Sequence, residues 1–235
     1  MDFRLKANKI KFVVIPIIIF IVIIILLLSM IVMREKSMKY VFSERLDKQV
    51  ITIDDKKITL YDTCYYIIDV ENTINEMAVA YNPNDPTEFW NTHFSNSMNS
   101  VFTRDYARKL VRELCIYDYI MEQEAYKKDV SLNDKEIAEA KEQASDFYDN
   151  LSEKAKKNTT ITREAVEDTC IRKKLVVKYV ELVAKNLKKE GYTDDMISQL
   201  NYDGTLYQNT IKKEYNIDYS EYEFNNLPMG SISIN

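Results

Sequence analysis

The chain has 235 residues, with 32 Lys+Arg against 37 Asp+Glu and a formal net charge of -5. That balance excludes a general nucleic-acid binder, which needs a basic face to release counterions. One His, three Cys and three Gly exclude a His-rich metal site, and also a Ser-His-Asp triad that does not use His93. They leave no material for a glycine-rich phosphate loop, since Gly191, Gly204 and Gly230 lie far apart. An all-β sandwich or barrel would use more Gly and Pro at its turns, so a helical, charged, Tyr-rich chain remains.

Residues 12–33 form a run of 22 without a charge, interrupted only by Pro16 and Ser29. As a helix this run is about 33 Å long, enough to cross a hydrocarbon core of about 30 Å. The apolar region of a signal peptide is shorter and ends at a small-residue cleavage site. This run ends in Ser29-Met30-Ile31-Val32-Met33-Arg34 with no cysteine near it, so an uncleaved transmembrane anchor is expected rather than a lipid anchor. Arg4, Lys6, Lys9 and Lys11 against Asp2, compared with Arg34, Lys36 and Lys39 against Glu35, give a weak bias toward a cytoplasmic N-terminus. The expected order is a cytoplasmic tail (1–11), the membrane helix (12–33), a juxtamembrane linker (34–49), an extracytoplasmic helical domain (50–225) and a frayed tail (226–235).

Val50-Ile51-Thr52-Ile53 reads as a strand by β-branching. Residues 54–57 make a polar turn, and Ile58 returns as a partner. Thr59 and Asp62 form a variant capping box for a helix over about 60–81, which Pro83 and Pro86 stop. After a polar stretch holding Phe89, Trp90, Phe94 and Phe102, a second helix is expected from about Met98. Its apolar stripe is Tyr106, Leu110, Leu114, Tyr117, Met121 and Ala125. Asn133 with Glu136 opens a third helix, with stripe Ile137, Ala140, Ala144, Phe147 and Leu151 and a basic end at 154–158. Residues 159–162 cap a fourth, with stripe Val166, Cys170, Lys173, Val177, Val180, Ala184 and Leu187, and Gly191 ends it. The last 45 residues hold six of the seventeen tyrosines. They predict short helices near 194–200 and 206–214, a strand over 215–219 and a frayed end from Gly230.

Cys64, Cys115 and Cys170 are odd in number, each in an apolar helical pattern, and read as single buried thiols. No CxxC spacing exists, and no metal or other cofactor is expected. His93 reads as a loop histidine, because no nucleophile or orienting group can be placed beside it. Glu136, Glu139 and Glu142 among Lys135 and Lys141 read as a solvated, ion-paired face. The aromatics Phe89, Trp90, Phe94 and Phe102 read either as core beneath a long loop or as an apolar patch for unfolded client segments. The tyrosines of the acidic last segment either bind extended peptide or pack on the hairpin and helices.

The order hairpin, helix, proline-rich break, long helix and two further helices resembles the SurA/PrsA-type N-terminal chaperone domain of periplasmic chaperones and Gram-positive foldases. Four stretches carry the likeness: VITIDDKKITLYD (50–62), VRELCIYDYIMEQEAYKKDVSLNDKEI (111–137), ITREAVED (161–168) and IKKEYNIDYSEYEF (211–224). The resemblance implies a mostly α domain with a small antiparallel β-sheet, in which the last stretch returns to the N-terminal hairpin. It also implies chaperone or foldase function in protein folding and secretion. The parvulin prolyl isomerase domain of the enzymatic relatives is missing, since only residues 190–210 stand in its place. The expected function is therefore non-catalytic binding of unfolded or secreted polypeptides at the membrane, without small-molecule substrate or nucleic acid. The alternative is a structural or regulatory partner that docks one dedicated envelope or secretion component.

Overall fold

The computed structural model describes residues 40–96, 99–193 and 195–234, and side chains apart from those at 94–100. The expected membrane span at 12–33 lies outside the described residues. Among those residues, no helix is long and apolar enough to cross a membrane. Phe42–Asn235 form one compact unit, which holds every element named here.

β1 (Gln49–Ile53) and β2 (Lys56–Thr59) pair antiparallel through a tight turn at Asp54, whose φ is 50°. Val50, Ile51, Ile53 and Ile58 are buried, so β-branched residues that favour a pleated surface also seed the core. The Thr59 amide donates to Asp62 Oδ2 at 2.7 Å and the Asp62 amide to Thr59 Oγ1 at 3.3 Å. This reciprocal box launches a 3-10 turn (Tyr61–Thr63) and then α1 (Cys64–Tyr81).

The next segment departs from expectation. Pro86–Asn91 is a 3-10 helix, followed by an antiparallel hairpin of β3 (His93–Asn96) and β4 (Asn99–Phe102). α2 starts only at Thr103 and runs to Lys127, not from Met98. The Thr103 amide donates to the Thr92 carbonyl at 2.9 Å, so the hairpin closes before the helix begins. Val101 and Phe102 have strand propensity that outweighs the helical spacing after them.

α3 (Asp134–Asp149) opens on the predicted Asn133/Glu136 capping box. Residues 154–158 do not end that helix. They form a separate short helix, α4 (Glu153–Thr159), capped by Ser152. α5 (Arg163–Lys189) is capped by Thr162 and ends in a Schellman motif at Gly191, φ 96°, with the Tyr192 amide donating to the Leu187 carbonyl. α6 (Met196–Leu200), a π turn (Tyr207–Ile211), β5 (Ile217–Tyr219) and α7 (Glu221–Asn226) complete the unit.

β5 pairs antiparallel with β1, Ile51 opposite Tyr219 and Ile53 opposite Ile217, so the sheet order is β2-β1-β5. The fold is thus mostly α with a small antiparallel sheet that joins early and late chain segments, as predicted. α5 packs on both α2 and α3, and α2 also packs on α1. Lys178 and Lys174 of α5 reach Glu136 and Glu139 of α3 at 2.7 and 2.8 Å. Residues 115–121 of α2 are buried on every side, which makes this turn the hub of the core. The expected stripe is shifted upstream of it: Ala107, Val111 and Cys115 are buried, while Tyr106, Leu110 and Leu114 are half-buried. Nor is the last segment frayed. Leu227, Met229, Ile232 and Ser233 are buried, because apolar residues interleaved with small ones fit the groove beside α1.

Candidate functional site

An apolar concavity lies among α2, α5 and α6. Leu114 and Tyr117 of α2, Val176, Val177 and Val180 of α5 and Ile197 of α6 line a cleft of about 330 Å³. A second hollow of about 490 Å³ adjoins it between α5 and α6, sharing Glu181 and Ile197 and walled by Ala184 and Met196. Val177 is 53% exposed and Ile197 54%, so these two side chains face solvent while Val176 and Val180 beneath them are buried. The helical register explains this. Val176 and Val180 point to the core, which turns the adjacent Val177 outward, away from the stripe expected of it.

At the foot of the cleft Asp118 is 5% exposed. It accepts a hydrogen bond from the Tyr66 hydroxyl at 3.0 Å, and Lys173 Nζ lies 3.7 Å away. Burial pushes the Asp118 pKa above the ordinary carboxylate value, against the pull of Lys173 and the Tyr66 bond. Burial likewise raises Asp69 one turn along α1. Beside them Arg172 stacks 3.9 Å from the Tyr119 ring centroid and donates to Glu122 at 3.0 Å. In this polar layer Tyr66 and Lys173 partner Asp118, and Glu122 partners Arg172.

The raised Asp118 carboxyl makes a pH prediction. Its folded pKa exceeds its unfolded value, so its contribution to stability is complete below the unfolded pKa and is lost as pH rises through the folded one. Asp118→Asn keeps an acceptor for Tyr66 and removes the buried charge. The variant is expected to be more stable than the parent at pH 7, by about 1 kcal/mol or roughly 3 °C in Tm. The gap should close toward pH 4. Thermal melts at both pH values check this, and a variant weaker than the parent at pH 7 would show that the pair with Lys173 dominates.

The four aromatics singled out from sequence do not form one surface. Trp90 is 1% exposed and belongs to the core. Phe89 is half-buried against Tyr81, ring centroids 5.4 Å apart. Phe102 is 46% exposed and packs tilted against His93, ring centroids 4.1 Å apart. The Phe94 side chain lies outside the described set. His93 sits at the surface in β3. The three cysteines are free and buried, and burial raises each thiol pKa above its ordinary value, which leaves them inert. Among the last tyrosines, Tyr207 and Tyr215 pack inward while Tyr192 and Tyr222 are more than half exposed. Among the described residues, no group of three His, Cys, Asp or Glu is placed to hold a metal ion.

No family model, curated protein or solved structure matches the chain.

Proposed function

We propose that this chain is a membrane-anchored, non-catalytic holder of unfolded polypeptides, a module of the SurA/PrsA N-terminal type without an isomerase domain. The observation that carries the reading is the cleft among α2, α5 and α6, where Val177 and Ile197 are open to solvent. The β1–β2 hairpin with β5 returning beside it and the sequence pattern of 50–224 support the family likeness. The uncharged run at 12–33 supports the anchor, with the folded unit outside the cytoplasm. Client segments bind by burying apolar side chains, at about 25 cal/mol per Å² removed from water, and leave as they fold. Tethering raises the holder's local concentration where secreted chains emerge.

Val177 and Ile197 are exposed, so a charge at either spoils the cleft without entering the core. The full chain in lipid nanodiscs should suppress aggregation of several unrelated unfolded proteins. The double variant Val177→Asp/Ile197→Asp should weaken that effect about tenfold, equivalent to ~1.4 kcal/mol. Undiminished suppression by a folded double variant would remove the cleft from the mechanism. No suppression by the parent, together with one tight partner in pull-downs, would favour dedicated docking.

A further inference from the structure

Residues 227–234 cross a groove bounded by α1, the start of α2 and α4. Among the described residues, every polar contact between groove and strap but one is made to the strap's main chain. Glu71 Oε1 of α1 accepts from the amides of Gly230, Ser231 and Ile232 at 2.6, 3.2 and 3.2 Å. Its Oε2 accepts from the Ser233 amide at 2.6 Å and from the Ser233 hydroxyl, the one side-chain contact. In the other direction, Arg108 and Arg104 of α2 donate to the carbonyls of Leu227 and Met229 at 2.9 and 2.8 Å. Asn158, Ser152 and Lys154 donate to those of Ile232, Ser233 and Ile234 at 2.9, 2.6 and 2.6 Å. Leu227, Met229 and Ile232 fill apolar seats and are 0–1% exposed.

A site that reads amides and carbonyls, with seats for spaced apolar side chains, recognises an extended peptide with little regard to sequence. The floor adds a second sign. Gly230 lies over the Trp90 indole, where an added Cβ would meet Cδ2, Cγ and Cε2 at 2.6–3.0 Å. The indole Nε1, bonded to Cε2, is buried without a hydrogen-bond partner among the described residues. A donor left unpaired by the present occupant costs free energy that another peptide's carbonyl could recover.

We propose that the groove floored by Trp90 and clamped by Glu71 is a main-chain-reading peptide site, and that residues 227–234 occupy it as an internal surrogate for an extended, apolar-rich client segment. The proposal deepens the holding function and rests on it for the nature of the natural ligand; the groove itself is tested without any client.

Trp90 is the only tryptophan, so its emission reports the occupant directly. Ile232→Pro in the full chain deletes one amide donor from the strap and leaves the groove intact. Its emission should move to longer wavelength. A synthetic octapeptide of residues 227–234 should restore the original emission, with half-saturation at least about tenfold below any effect on the parent, whose own strap competes at millimolar effective concentration. A peptide with Ser231→Ala should act within about threefold, because Ser231 gives the groove only its amide. A peptide N-methylated at the amides of 232 and 233 should not act. Failure of the plain octapeptide to restore emission in a cooperatively folded variant overturns the proposal.

The parent chain gives an independent reading should Ile232→Pro not fold. Excess octapeptide, on the order of 10 mM against that same effective concentration, should accelerate amide hydrogen exchange at 230–233. Unchanged protection there overturns it equally. Aggregation suppression plays no part in either arm, so failure of the holding function and failure of this site are separate results.

Discussion

Glu71→Ala is expected to destabilise the Phe42–Asn235 unit by about 4 kcal/mol, since losing an acceptor strands buried donors at roughly 1–3 kcal/mol each. Glu71 has no exposed surface, and its two oxygens receive four backbone amides and one hydroxyl. A carboxylate is the only side chain that offers several lone pairs and no hydrogen of its own. Consecutive amides turned toward one point form a concave anion seat, so charge and geometry match. With alanine in its place the amides must either stay dry and unpaired or drag the strap into water. The second route caps the cost, but it exposes Leu227, Met229 and Ile232. Glu71→Gln should fall between parent and alanine, because the amide oxygen still accepts while its NH2 faces donors. Urea denaturation measures the order. A loss below about 1 kcal/mol for alanine, the size of one ordinary hydrogen bond, would mean that the clamp contributes little.

The same residue shows how far the sequence could be read. Glu71 stands in register with Ile67, Ile74 and Ala78, all buried, on the core stripe of α1. A lone carboxylate on such a stripe signals a buried acceptor, but its partners lie some 160 residues away and no local pattern points to them. Features set by neighbouring residues were legible: the Thr59/Asp62 and Asn133/Glu136 boxes, the proline stop after α1 and the Gly191 end of α5. The β1–β5 pairing was legible too, through β-branching at 50–53, alternation at 215–219 and the resemblance those stretches carry. What depended on packing was not. Between Val176 and Val177, periodicity alone cannot choose which faces the core, and that choice makes the wall of the cleft. The β3–β4 hairpin was hidden because the helical spacing of α2 extends backward in sequence past its true start.

The aromatic cluster illustrates the limit from the other side. From sequence, Phe89, Trp90, Phe94 and Phe102 read either as core beneath a long loop or as one apolar patch, because they are close along the chain. The structure separates them by role: Trp90 serves as floor, Phe89 as a half-buried neighbour of Tyr81 and Phe102 as an exposed partner of His93. A 3-10 turn and a two-stranded hairpin point successive side chains in different directions, so nearness in sequence did not become a shared face.

Gly230→Ala should cost about 3 kcal/mol, whereas Gly191→Ala should cost about 1 kcal/mol, though both glycines sit at positive φ where an L-residue loses roughly 1–2 kcal/mol. Their φ values are 85° and 96°, so the backbone penalty is nearly shared. Their surroundings differ. At Gly191 an added Cβ meets nothing within 4 Å, while at Gly230 it lands 2.6 Å from Trp90 Cδ2 and 2.7 Å from Cγ. The indole is 1% exposed and has no room to retreat, so the excess of about 2 kcal/mol is an overpacking cost. A double-mutant cycle isolates it. Trp90→Ala alone should lose about 4 kcal/mol by opening a large cavity. In that background Gly230→Ala should fall back to about 1 kcal/mol, because the methyl then enters space the ring has left. Urea denaturation of the parent, the two single variants and the double variant supplies the coupling. Additive losses would place the cost of Gly230→Ala in the backbone alone and remove the indole from contact with the strap.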